Sequence, residues 1–182
     1  MTAPTRRRDP ERRRREIVDA AIAVVLEEGT SALTHRKVAT RAGVPLGSTT
    51  QYFATLDDLR TAAVLRIVGD IDVWIDALDT AFERDGAIPA TYAAELSAFL
   101  SDPHLVQAAF ALTGSGITAD EVQTASRQWT TRFIEMLQRH TTLDGARAIA
   151  ALTDGLTMHV ALLDEPPSPD FLTRAITAVW DL

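Results

Sequence analysis

Residues 34–53 read THRKVATRAGVPLGSTTQYF, and this stretch decides the fold. It parses into two short helices joined by a tight turn. Thr34 is a good N-cap, because its hydroxyl can accept a bond from a free N–H of the next turn. Val38 and Ala39 give the first helix its apolar side. Ala42-Gly43-Val44 is the turn, with Gly43 able to take the left-handed backbone that closes a helix. Pro45 stands where a helix can start without losing a needed donor. The second helix then presents Leu46, Gly47, Ser48, Thr49, Gln51 and Tyr52, small or polar groups with no acid among them. A helix free of carboxylates and rich in hydroxyls suits the major groove of DNA.

Upstream, arginine dominates. Arg6, Arg7 and Arg8 precede Asp9-Pro10-Glu11, and Arg12 to Arg15 follow it. Asp9-Pro10-Glu11 reads as a helix start, with an N-cap, a proline at the first position and an acid in the first turn. The spacing therefore predicts a flexible basic arm over residues 1–8 and a first helix from there to about Glu28. Ile17, Ala20, Ala21, Val24 and Val25 form its buried stripe, and Gly29 ends it. Arginines in the arm suit phosphate or the minor groove, with affinity that falls as salt rises.

The overall charge of −7 looks wrong for a DNA binder until it is divided. Residues 1–56 hold 10 Lys/Arg and 6 Asp/Glu, whereas residues 57–182 hold 8 and 19. Positive charge gathers at the end that carries the helix pair, and the remainder is an acidic body.

Downstream, every periodic segment is helical. A long helix starts at Thr55 or Asp57-Asp58 and runs into the low 80s, on the stripe Leu59, Ala62, Ala63, Ile67, Ile71, Trp74 and Leu78. Further helices are expected over about 90–100, through Leu112, from Ala119 to His140, from Leu143 to Leu163, and after Pro169. Thr113-Gly114-Ser115-Gly116 is expected to be a loop. The fold class is all-α: a DNA-binding domain over 9–53 and a helical body over 54–182, the part to which a family resemblance assigns ligand binding and dimerisation.

Several classes are excluded. With 0 cysteines there is no disulfide and no thiolate metal site. His104, His140 and His159 lack metal-ligand spacing, so no metal and no cofactor is expected. Apolar runs are broken by charge, so no membrane span is expected, and no apolar stretch follows the arginines as a secretory signal would require. A cytoplasmic protein is expected. No nucleophile–base pair or phosphate loop appears, and Gly114-Ser115-Gly116 is not a nucleophile elbow, so no enzyme and no catalytic residue is expected.

The region from Glu16 to Leu59 resembles the TetR family of transcriptional regulators. Ile17, Ala20, Ala21, Gly29, Leu33-Thr34, Arg36, Val38-Ala39, Ala42-Gly43-Val44, Gly47-Ser48, Phe53 and Leu59 carry the likeness. Thr50 and Leu56 depart from it, where the family often has a tyrosine and a lysine that meet phosphate. The resemblance implies that Thr34, His35 and Tyr52 touch phosphate and that Arg36 reads a base. With Gly47, Ser48, Thr49, Gln51 and the arm, these form the expected DNA-binding set.

The resemblance also implies a small-molecule cavity in the body, and the available lining is Trp74, Phe99, Phe110, Trp129, Phe133, Met136, Met158 and His159. Such a lining suits an apolar or aromatic effector. A homodimer is expected through the last two helices, on Leu152, Leu156, Val160, Phe171, Ile176 and Trp180. The expected function is a repressor released from a palindromic operator by its effector. The alternatives are a DNA-binding protein controlled by a protein partner, and an activator.

Overall fold

The computed structural model describes residues 9–114 and 120–182. Among them are nine α-helices, one 3-10 turn and no strand. The chain divides into two compact units, Met1–Arg66 and Ile67–Leu182. The division falls inside a helix, not at residue 53 as the sequence suggested. The first turns of that helix carry the buried Leu59, Ala63 and Val64 and count with the N-terminal unit.

In the first unit, α1 (Pro10–Glu28) begins as its sequence dictates. The Asp9 carboxylate accepts from the Arg12 N–H at 3.1 Å, with Pro10 in the first turn. Ile17, Ala21, Val24 and Val25 are buried along one stripe. Gly29 stops the helix at φ 85°, its N–H bonded to the Val25 carbonyl. A 3-10 turn at Thr30–Ala32 follows, which the sequence reading lacked. Then come α2 (His35–Ala42) and α3 (Leu46–Tyr52), with α2 packed on both α1 and α3. Phe53 is buried and plugs this small core, and the Arg14 guanidinium lies 5.1 Å above its ring.

Helix α4 (Leu56–Asp85) is 30 residues long, a little beyond the expected end. A capping box starts it: the Thr55 hydroxyl accepts from the Asp58 N–H at 3.0 Å, and the Asp58 carboxylate accepts from the Thr55 N–H at 2.9 Å. That backbone donor, helped by the hydroxyl, holds the Asp58 carboxyl below its ordinary pKa.

The second unit is completed by α5 (Pro89–Leu100), α6 (Pro103–Gly114), α7 (Asp120–Gln138), α8 (Leu143–Leu163) and α9 (Pro169–Trp180). Thr113 and Gly114 close α6 instead of opening a loop, and Ser115 and Gly116 lie outside the described residues. Helix α8 is central, in contact with α5, α6, α7 and α9. Length and composition alone would also let it cross a membrane, at 21 residues with an 18-residue window of mean hydropathy 1.2. It serves instead as a core helix: Ile149, Leu156 and Val160 are buried, and Thr153 takes a hydrogen bond of 2.5 Å with the buried Tyr92 hydroxyl. Gly145 sits so close to α9 that a methyl there would overlap the Trp180 carbonyl, which also accepts from the Thr141 hydroxyl.

Candidate nucleic-acid interface and effector site

The helix pair is built by its punctuation. Thr34 caps α2 in an extended conformation, its hydroxyl accepting from the Lys37 N–H at 3.2 Å. Gly43 adopts the left-handed backbone, φ 64° and ψ 34°, which a side chain would strain. Pro45 is the N-cap of α3 and not its first helical residue, with the Ser48 N–H on its carbonyl at 2.8 Å. This turn sets α3 on α2.

Of the residues expected to read DNA, Thr34, Arg36, Gly47 and Gln51 are exposed, and His35, Ser48 and Tyr52 are half-buried. Thr49 is a correction. It is 0% exposed, and its hydroxyl donates to the Leu46 carbonyl at 2.8 Å, so it faces the core and cannot meet a base. Arg6, Arg7 and Arg8 lie outside the described residues. His35, the first residue of α2, keeps its Nδ1 buried and without a partner.

The cations of α2 are not equivalent. Lys37 pairs with Glu28 at 2.6 Å, and Arg41 pairs with both carboxylate oxygens of Glu27. Arg36, exposed one residue before Lys37, has no acidic partner among the described residues. It is therefore the α2 cation whose charge is left to a ligand. Arg12 and Arg13 share Glu16, at 3.7 and 3.0 Å. The two glutamates at the end of α1 were missed in the sequence, although Glu27-Glu28 just before a helix with Lys37 and Arg41 was the available signal.

In the second unit an aromatic cluster forms around Phe133. Trp74 lies 5.7 Å from it and 4.9 Å from Phe99, and Trp129 stacks on it at 5.8 Å with planes 16° apart. Tyr92, which the expected set omitted, meets the edge of Trp74 at 6.5 Å. Trp74 is 8% exposed and Trp129 is partly buried, yet neither indole N–H has a hydrogen-bond partner among the described residues. Phe110 is partly buried on α6. Burial pushes the Tyr92 hydroxyl pKa well up, with the nearby Asp154 carboxylate adding to it, and Asp154 is itself raised by desolvation.

Met158 and His159 stand apart from this buried cluster. Both are exposed on α8, Met158 at 44%, and face away from the core of the unit. Met136 is buried and also lines a cleft of about 280 Å³ between α4 and α7, with Ile75, Asp76, Asp79, Arg132, Glu135 and Arg139. That cleft is ionic, not the apolar cavity expected. Arg132 bridges Asp72, at 2.6 Å, and Asp76, and Arg139 holds Asp79 at 2.6 Å.

The dimer set also needs correction. Leu156, Val160, Ile176 and Trp180 are buried within one chain, Trp180 edge-on to Phe82. They are spent on the unit's own core. Leu152 is partly buried, and Phe171 is 43% exposed. The large apolar groups that α8 and α9 leave outside are Leu143, at the start of α8, and Met158, Leu162, Leu163 and Phe171. Among the described residues no group of three or more His, Cys, Asp or Glu could hold a metal ion.

A TetR family member from Streptomyces coelicolor A3 has a solved structure that superposes on this chain with a TM-score of 0.81. It is 31% identical, over 93% of this chain and 99% of that one. The chain belongs to the TetR family. The multidrug binding protein EbrR, solved with malachite green, is another similar structure, at 29% identity and TM-score 0.78 over 93% of this chain and 99% of that one. EbrR has also been solved with proflavin and with ethidium. The HTH-type transcriptional regulator PksA of Bacillus subtilis (strain 168) is 39% identical over 56 residues, 31% of this chain. That match spans 27% of the length of PksA. No family model matches the chain. The TetR fold assigns a DNA-binding helix–turn–helix to the first unit, so the chain is a transcriptional regulator by family.

Proposed function

We propose that this protein is a homodimeric repressor, released from a roughly palindromic operator by a small aromatic effector. The observation that carries the reading is the exposed, acid-free surface of α3, with Gly47, Thr50 and Gln51, in the same unit as an Arg36 that no acid among the described residues neutralises. Gln51 has the donor and acceptor needed for adenine, and Arg36 can give two bonds to guanine. Thr34, His35 and Tyr52 hold phosphate, Ser48 and Gly47 allow close approach, and the arm adds salt-sensitive affinity. A two-fold dimer presents this surface twice, on half-sites about 34–36 Å apart or a multiple of that.

The effector binds in the second unit, against Trp74, Phe99, Trp129 and Phe133. It favours a form of the dimer whose two reading helices no longer match groove spacing. Linkage then makes effector and operator weaken each other by the same factor. The dyes bound by EbrR, malachite green, proflavin and ethidium, are all aromatic, which supports an aromatic ligand here. The protein acts in the cytoplasm by binding, without turnover.

The test is direct. Duplexes that the protein retains from a random library should share an inverted repeat, measured afterwards by fluorescence anisotropy. Malachite green should lower operator affinity more than affinity for random DNA, whereas proflavin and ethidium, which intercalate into any duplex, are titrated against the protein alone. A retained pool with no common sequence would sink the reading. An operator complex indifferent to every aromatic ligand tried would remove the effector from it.

A further inference from the structure

We propose that the effector carries at least one hydrogen-bond acceptor, such as a ring carbonyl, which the indole N–H groups of Trp74 and Trp129 bind. This rests on the reading of the second unit as the effector-binding unit.

The aromatic cluster has three polar handles, and they are treated differently. The Tyr92 hydroxyl is buried and bonded to the Thr153 hydroxyl at 2.5 Å, and Thr153 in turn donates to the Ile149 carbonyl at 2.8 Å. That handle is consumed by the fold. The Nε1 atoms of Trp74 and Trp129 are also shielded from water, and neither has an acceptor among the described residues. Buried tryptophan N–H groups ordinarily find a partner. Two that have none among the described residues, both on rings against the same Phe133, are unused donors in an aromatic setting.

The chemistry of the pair is one-sided. An indole N–H only donates, so the complementary ligand must accept. The carboxylates Asp72, Asp76 and Asp79 of α4 are already bound by Arg132 and Arg139. Phe133 and Phe99 supply flat apolar surface for the rest of the molecule. Trp129, only partly buried, marks the outer side of the cluster, and Trp74 the inner side. A neutral aromatic ketone meets all of these demands. A planar cation with its ring nitrogen protonated meets only the apolar ones.

The experiment compares 9-fluorenone with fluorene, two tricycles alike except for the carbonyl, by calorimetric titration of the full chain, with proflavin as the cationic control. Two recovered neutral hydrogen bonds should favour fluorenone over fluorene by roughly tenfold. Trp74→Phe and Trp129→Phe should each pull that ratio toward one while changing fluorene binding less. Replacing either tryptophan by benzothienylalanine keeps the ring shape and removes the N–H, so a loss of the preference there cannot come from misfolding. Fluorenone and fluorene binding alike, or a preference that survives both replacements, would overturn the proposal while leaving an aromatic effector site in place. If none of the three binds, the effector reading itself falls, and the proposal with it.

Discussion

Arg41 grips both oxygens of Glu27, tying the middle of the helix pair to the end of α1 across fourteen residues of chain. One turn earlier on α2, Lys37 holds one oxygen of Glu28 at 2.6 Å. Both pairs are exposed, so they add little to stability. Glu27 raises the Arg41 pKa, so the guanidinium keeps its charge well into alkali. Near neutral pH, salt is the lever that weakens the pair. The effect of interest is on DNA: two cations of the reading unit are already neutralised.

Glu27→Gln should therefore release Arg41 toward phosphate. The slope of log affinity against log salt for a random duplex should steepen by up to about 0.9. Anisotropy titrations from low to moderate salt would measure it, and a parallel slope would show that the freed guanidinium does not reach the backbone.

Arg36→Ala acts on sequence and not on charge alone. Loss of a two-bond base contact should cost about 1–3 kcal/mol of discrimination at one position of each half-site. Deletion of residues 1–8 should instead weaken every duplex alike and flatten the salt slope. Competition between the selected operator and point variants of it separates the two outcomes.

Trp180→Arg and Phe171→Arg test where the last two helices meet a second chain. Trp180 is buried against Phe82, so a charge there should unfold the second unit, seen as loss of the cooperative melt. Phe171 lies outside, and Phe171→Arg should keep the helical spectrum and yield monomers in sedimentation. A folded Phe171→Arg that remains a dimer would move the interface elsewhere.

Two glycines give opposite expectations. Gly145→Ala would drive a methyl into the Trp180 carbonyl, a backbone atom with little freedom to yield, and should lower stability by about 1–3 kcal/mol. Gly69 lies within α4 with nothing near its missing side chain, so Gly69→Ala should raise stability by about 0.5–1 kcal/mol. Denaturant melts of the two variants would show the contrast.

Punctuation was the most legible part of the chain. Asp9-Pro10, Thr34, Gly43 and Thr55 act locally, through bonds to backbone a few residues away, and each sits where such chemistry requires. The stripes were legible as helices but not as partners. Ile176 and Trp180 look like any apolar groups on a terminal helix, and only the packing of α9 on α5 and α8 decides that they face inward. Thr49 failed for the same reason, because a threonine serves a core or a groove equally well. The ion pairs of α4 with α7 join residues about sixty apart, beyond any local signal.

The strip left by Met158, Leu162, Leu163 and Phe171 has a cost before any DNA is met. A newly made copy carries oily surface into a crowded cell, where sticking to the wrong neighbour competes with finding its own kind. Pairing depends on concentration, so scarce copies spend longer uncovered. Copies translated from the same message, close together and at the same moment, have the shortest search.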